Sequence, residues 1–256
     1  MRSIIISGAS SGIGAALARQ LAGPDVRLGL LGRNAERLHA VATDTERRGA
    51  ICRVGCFDLT DRAGLAAYCA SFEAEGPIDV VIGNAGILAG RNGDSGIEDA
   101  DTAIRVVSTN LCSAIDLAAL CAPGMRGRGC GKIVLVSSLA AFSPLADAPA
   151  YSAAKAGLVA YGLALRQALA PDGINVVVSC PGYVETPMGA IHMGSRPMEV
   201  SAQDAARRII DAMERNKAVS GFPFPLYWSA RLSQLAPEWI RRIATGGLRF
   251  HVRRHD

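Results

Sequence analysis

The chain's first fourteen residues narrow what it can fold into. Ser3 to Ser7 is a short apolar run that passes straight into Ser7-Gly8-Ala9-Ser10-Ser11-Gly12-Ile13-Gly14, and an Ala-rich segment of helical spacing follows. Strand, glycine turn and helix in that order make the opening unit of a parallel α/β sheet. Glycines there let the backbone approach a pyrophosphate, whose charge would sit where unpaired helix N–H groups point outward. Gly8, Ser10, Ser11, Gly12, Ile13 and Gly14 are therefore candidate phosphate contacts. The spacing is G-x-x-x-G-x-G rather than G-x-G-x-x-G, and a tight turn that binds nothing is the alternative.

The remainder of the chain repeats the same alternation. Apolar runs rich in Ile and Val recur at 26–31, 51–54, 79–82, 133–136 and 175–180. They are continuous where a half-wet strand would alternate, so strands buried on both faces are expected. Helix-length segments separate them at 13–22, 35–48, 62–75, 102–120 and 151–169. The expected fold is α/β: one Rossmann-type, doubly wound parallel sheet with helices on both faces, spanning 1–256 as a single domain.

Composition removes several classes. A length of 256 residues at 50% hydrophobic and 20% charged is globular material. Seven scattered cysteines show no zinc-ligand spacing, so neither a metal site nor a disulfide framework is indicated, and small core residues in a reducing compartment are expected. The N-terminus enters a strand at once, leaving no room for a leader, and no run of about 18 apolar residues suggests a membrane-crossing helix. The net charge of +4 is unevenly placed: residues 206–256 hold ten Lys and Arg against four Asp and Glu.

Further candidates fall at strand ends, the edge where open α/β sheets bind ligands. After the second strand comes Gly32-Arg33-Asn34, where a NAD-selective site would carry an acid. Arg33 leaves space and charge for a 2′-phosphate, so NADP(H) is preferred and NAD(H) is the alternative; a solvated surface Arg is the other reading. Asp58 follows the third strand and Asn84-Ala85-Gly86 the fourth; singly, each also suits a helix cap or a turn. Ser138 closes the fifth strand, with Ser137 as its rival. Tyr151 and Lys155 stand at i and i+4 on one helix face. A phenol titrates near pH 10, and an ammonium beside it would lower that value and make Tyr151 a usable general acid/base.

Together these motifs resemble the short-chain dehydrogenase/reductase family, in the branch of about 250 residues, from Ser3 to about Val219. The residues carrying the resemblance are Gly8, Gly12, Gly14, Asp58, Asn84-Ala85-Gly86, Asn110, Ser138, Tyr151, Lys155, Pro181-Gly182 and Thr186. Ser7 stands where the family usually has Thr. The resemblance implies that Tyr151 exchanges a proton with the carbonyl or alcohol oxygen while hydride passes to or from the nicotinamide. Ser138 would hold that oxygen, and Lys155 would bind the ribose and depress the tyrosine pKa. Asn110 would anchor a water relaying protons through Lys155, and Pro181, Gly182, Val184 and Thr186 would seat the nicotinamide. A homodimer or homotetramer is the expected assembly.

Two segments bear on the substrate. Residues 183–200 lie where the family carries its substrate loop; Ile191, Met193 and Met198 favour a hydrophobic ketone or aldehyde, with His192 and Arg196 as polar contacts or solvated groups. The aromatic, basic extension 222–256 holds Phe222, Phe224, Tyr227, Trp228, Trp239 and Phe250. Leu232, Leu235, Ala236, Trp239, Ile240 and Ile243 form an apolar helical stripe, and Pro237 suits the start of a second helix. Arg231, Arg241, Arg242, Arg249, Arg253 and Arg254 surround it. A lid or subunit contact packed on the core is one reading, and an element resting on an anionic membrane surface is the other. The setting is expected to be cytoplasmic, with a place at the membrane periphery as the alternative, and no nucleic-acid partner is expected. Rival functions are reduction of 3-oxoacyl groups on an acidic carrier protein, with Arg126 and Arg128 beginning a cationic mouth, and a non-catalytic dinucleotide-binding regulator.

Overall fold

The computed structural model describes residues 1–91, 97–237 and 251–252. Its centre is a seven-stranded, all-parallel sheet of β1 (Arg2–Ser7), β2 (Val26–Gly32), β3 (Ile51–Cys56), β4 (Val80–Gly83), β5 (Gly131–Val136), β6 (Ile174–Pro181) and β7 (Val219–Phe222), in the spatial order β7-β6-β5-β4-β1-β2-β3. The order reverses between β1 and β4, which opens a crevice at their carboxyl ends.

Alternate residues of the buried strands supply the two faces. Ile4, Ile6, Leu28, Leu30, Val134 and Val177 pack against α1 (Gly12–Leu21), α2 (Ala35–Glu46) and α8 (Ala202–Glu214). Ile5, Leu31, Val81, Ile133 and Val176 pack against α3 (Arg62–Ala74), α5 (Ser113–Arg128) and α6 (Pro149–Leu169). Complete burial of Ile4, Ile5 and Ile6 accounts for their unbroken apolar run. A smaller cluster of Phe142, Val159, Val178, Cys180 and Ala230 joins α9 (Phe224–Ser233) to the sheet.

The sequence reading is corrected at several points. The helix expected to end at Leu120 starts at Ala100 as α4 (Ala100–Val107), passes through a π-helical turn at Ser108–Cys112 and runs through Pro123 to Arg128, ended by Gly129 in the left-handed conformation. This 29-residue stretch is apolar and long enough to cross a membrane by length and composition alone. Its apolar side, Leu117, Ala118, Cys121 and Met125, is buried in the core beside β4 and β5. Helix α8 and strand β7 were not read from the sequence. Cys69, Cys121 and Cys180 are buried, but Cys56, Cys112 and Cys130 are exposed and so are not core residues.

In the extension, α9 begins at Phe224, and Tyr227 and Ala230 pack on the core. Leu232 and Leu235 of the expected stripe are 60% and 84% exposed, so they do not pack there. Trp239, Ile240 and Ile243 lie outside the described residues, as do Arg241, Arg242, Arg249, Phe250, Arg253 and Arg254. The 183–200 segment forms the short pair Val184–Glu185 with Val200–Ser201, the helix α7 (Pro187–Ala190), and the strand His192–Met193 paired with His251–Val252.

Candidate active site

Polar ties between β1 and β4 build the crevice. The Ser7 hydroxyl accepts the N–H groups of Asn84 at 2.9 Å and Ala85 at 3.0 Å, and donates to the Ile82 carbonyl at 3.3 Å. Asn84 turns its amide inward and donates to the carbonyls of Ser7 at 3.0 Å and Gly8 at 3.3 Å, so its side chain braces the glycine loop. Gly8 and Gly12 have φ of 66° and 53°, the region that favours glycine. Gly14 serves packing: a Cβ there would stand 2.1 Å from the Gly8 carbonyl oxygen. The loop leads into α1, whose N-cap Ser11 makes no side-chain capping bond, leaving first-turn N–H groups to serve an anion.

A cleft of about 910 Å³ runs from this loop along the carboxyl ends of the strands. Gly8, Ser10, Ser11, Gly12, Ile13, Arg33, Asp58, Asn84, Ala85, Gly86, Pro181, Gly182, Val184 and Thr186 all line it. At the β2 end Arg33 is joined by Arg37 from the first turn of α2, which the sequence reading missed although it lies only four positions on. Arg33 lies 3.7 Å from Asp58, both well exposed, a pairing that solvent weakens. Asp58 is otherwise engaged in a local turn, with Oδ1 accepting from the Thr60 N–H at 2.9 Å and hydroxyl at 2.8 Å. That backbone bond is the main reason its carboxyl lies below the usual range.

At the other end β5 delivers two serines to different tasks. Ser137 is buried, and its hydroxyl donates to the main-chain oxygen of Lys155 at 2.7 Å, pinning α6 to the sheet. Ser138 lines the cleft with Tyr151; its Oγ accepts from the Ala140 N–H at 3.1 Å, and its hydroxyl acts on the Tyr151 phenol to lower its pKa. Lys155 is 4% exposed; its Nζ donates to the Val136 carbonyl at 2.9 Å and stands 5.7 Å from the centre of the Tyr151 ring. Burial holds this ammonium down to about 8, with a small opposing contribution from Cys180.

Burial raises the Tyr151 phenol above its ordinary value, and the Ser138 hydroxyl only partly offsets this. The expected depression by Lys155 does not accompany this: its ammonium donates to the Val136 carbonyl and stands 5.7 Å from the ring centre. A phenol so placed keeps its proton at neutral pH and can donate it.

Asn110 does not line the cleft. It is fully buried in the π-helical turn, and its amide accepts from the Ile87 N–H at 2.7 Å and donates to the Ile87 carbonyl at 2.8 Å. Both polar groups of the side chain are therefore committed to backbone, and holding a water would fall to its main chain. A Cβ on Gly86 would stand 3.2 Å from Asn110 Oδ1 and 3.6 Å from Lys155 Nζ, which places Gly86 at the point where the two meet. Thr186 caps α7 by accepting from the Gly189 N–H at 2.9 Å, and its methyl faces Gly12.

Beyond Tyr151 the cleft is lined by Leu88, Leu139, Leu145, Tyr183 and Met188, with α9 as a wall. Leu226, Ser229, Ala230 and Ser233 fall at 0, 3, 4 and 7, one helix face. The hydroxyls of Ser229 and Ser233 donate back to α9 carbonyls at 2.9 and 2.8 Å. Among the described residues, the charged groups lining the whole cleft are Arg33, Arg37, Asp58 and Lys155, so its far end has no charge of its own. Of the substrate-loop candidates, Arg196 pairs with Glu199 at 2.7 Å and Met198 is 54% exposed; Met188, Pro187 and Pro197 line the cleft instead. Residues Arg126 and Arg128 sit at the opposite edge of the sheet, where Arg126 pairs with Asp172 at 2.8 Å and Arg128 with Glu73 at 3.0 Å. They form no cationic mouth, because α5 runs away from the crevice and ends beside the start of β5.

Sequence and structure comparisons identify the family and the fold. The profile described as short chain dehydrogenase matches residues 2–193. The ketoacyl reductase HetN of Nostoc sp. is 34% identical over 185 residues, 72% of this chain but only 63% of that protein. An uncharacterized oxidoreductase of Myxococcus xanthus is 30% identical over 249 residues, covering 97% of this chain and 98% of the other. Among solved structures, a short-chain dehydrogenase from Sphingobium yanoikuyae in complex with NADPH superposes with a TM-score of 0.80 at 27% identity, over 97% of each chain. Matched along three quarters of its length and sharing that fold, the chain is a member of the short-chain dehydrogenase family of oxidoreductases.

Proposed function

We propose that this oxidoreductase reduces an uncharged, largely apolar ketone or aldehyde to the alcohol with NADPH, with Tyr151 as the general acid. The observation that carries the reading is the position of the Tyr151 phenol. The Ser138 hydroxyl acts on it, Lys155 backs it, and it stands where a glycine-lined cleft meets an uncharged pocket.

The cleft fits a dinucleotide on its own geometry. The glycine loop has no room for side chains at Gly8 or Gly14, the N-terminus of α1 opens beside it, and two arginines stand at the β2 end. Arg33 and Arg37 would grip a 2′-phosphate and so favour NADPH over NADH; the Sphingobium relative was solved with NADPH. Bound there, the nicotinamide supplies the hydride. Tyr151 donates its phenolic proton to the carbonyl oxygen, Ser138 holds that oxygen by its hydroxyl, and Lys155 presents its ammonium beside the phenol.

The reading of 3-oxoacyl thioesters as substrate draws on the likeness to several ketoacyl reductases, HetN among them, and to a solved polyketide ketoreductase. It needs a docking surface for an acidic carrier, and Arg126 and Arg128 do not supply one. The test is oxidation of NADPH and of NADH by the purified protein across ketones and aldehydes of graded apolar size, with a 3-oxoacyl thioester alongside. Turnover rising with apolar size and faster with NADPH supports the proposal. Turnover confined to the thioester replaces it, and dinucleotide binding without turnover on any of them points to a regulator.

A further inference from the structure

We propose that Glu98 is a positioning residue for Tyr151, its buried carboxylate fixing the first turn of α6 and with it the stand of the phenol against Ser138. The inference rests on the reading of Tyr151 as the general acid.

Helix α6 lacks a cap of its own. Its N-cap residue is Ala148, which has no side-chain acceptor, and Pro149 at the first position has no N–H. The N–H of Ala150 is answered from far away in the chain, by Glu98 Oε1 at 2.5 Å. Glu98 immediately precedes Asp99, the N-cap of α4, so the bond ties the start of one helix to the start of the other. A carboxylate at a helix N-terminus faces the positive end of the backbone dipoles. Glu98 is only 9% exposed, and its Oε2 is buried with no hydrogen-bond partner among the described residues. Burying a carboxylate with one oxygen unanswered costs free energy, so its retention at this spot asks for a purpose.

A second brace lies beside it. The Arg91 N–H donates to the Asp147 carbonyl at 2.9 Å, and Arg91 Nε stands 3.4 Å from Asp147 Oδ1, with the Asp147 side chain 7% exposed. The loop after β4, gripped at Ile87 by Asn110, is thereby joined to the segment leading into α6. Tyr151 is the third residue of that helix, within the turn these contacts hold. Lys155, one turn on, has anchors from β5 through Val136 and Ser137. Loss of Glu98 would therefore loosen Tyr151 relative to Lys155 and Ser138 while leaving the glycine loop untouched.

The test compares Glu98→Ala, Glu98→Gln and Glu98→Asp for kcat on the best carbonyl substrate and for NADPH dissociation constant by fluorescence. Glu98→Ala should lower kcat roughly ten- to a hundredfold, the scale of a misplaced catalytic group, with NADPH affinity unchanged within about twofold. The amide oxygen of Glu98→Gln can still accept from Ala150 and should restore kcat to within about threefold of wild type, whereas Glu98→Asp is a methylene short and should behave as Glu98→Ala. Wild-type kcat in Glu98→Ala overturns the inference. So does an active Asp variant beside an inactive Gln variant, since charge and not the acceptor would then matter; this pair decides the matter even if Glu98→Ala fails to fold. Tyr151→Phe assayed alongside separates the two claims: if it keeps turnover, the reading of the phenol falls and this inference with it.

Discussion

Two arginines and one buried lysine set the expectations at the scale of single residues. If Arg33 and Arg37 hold a 2′-phosphate, replacing either with Ala should weaken NADPH by about 1–3 kcal/mol, the worth of a hydrogen bond to a charged group, and leave NADH nearly unchanged. Isothermal titration with both nucleotides checks this, and equal losses for both would remove the claim. Lys155 titrates near 8, below its ordinary value because it is buried, so its ammonium is present below that pH and lost above it. Tyr151 is shifted upward and keeps its proton across the same range. The kcat/KM for reduction should therefore be flat below about 8 and fall above it, and Lys155→Arg should move that limb to higher pH. An unmoved limb would assign it to another group. Tyr151, Lys155 and Ser138 were legible in the sequence because their spacing is local or set by one strand end. The partners of Asn110 and Asn84 were not, since both side chains answer backbone groups that only the folded crevice brings near.

Among the elements, α9 is the one whose role in selectivity the proposed function puts to the test. One face, Leu226, Ser229, Ala230 and Ser233, walls the cleft, while Phe224, Trp228 and Leu232 on another are exposed. Ser229→Phe adds bulk to the α9 wall of the cleft from an exposed position, so the fold should tolerate it. KM for large ketones should rise about tenfold while small ones keep theirs, since a methylene's worth of room is about 1–3 kcal/mol. Equal effects on small and large substrates would show that α9 does not select. The sequence showed an apolar stripe in the tail, of which Leu232 and Leu235 are exposed and Trp239, Ile240 and Ile243 lie outside the described residues; the start of α9 at Phe224 was not legible. Strand β7 also escaped notice: Val219–Phe222 is four residues with a central Gly and a following Pro, and only its pairing with β6 makes it a strand. The long strands β1, β2 and β6 were plain, since burial on both faces demands an apolar residue at nearly every position.

For the molecule as a whole, the sheet holds the two ends of the cleft in register. Phe72 is fully buried, with the Arg27 guanidinium 4.0 Å from its ring centre and Tyr68 stacked 6.0 Å away. Phe72→Ala should cost about 3–5 kcal/mol of stability by denaturant unfolding, because it opens a cavity where α3 meets the sheet. A loss below about 1 kcal/mol would mean the core there collapses freely. In the proposed function chemistry and binding divide along the cleft: among the described residues, glycines and arginines stand at one end, no charged group at the other, and the phenol between them. The most direct test of that division is to measure NADPH affinity and carbonyl turnover together in Tyr151→Phe. The account predicts NADPH bound as in wild type and turnover lower by roughly 10²–10⁴, the usual worth of a positioned general acid. Turnover that survives the loss of the hydroxyl would contradict it.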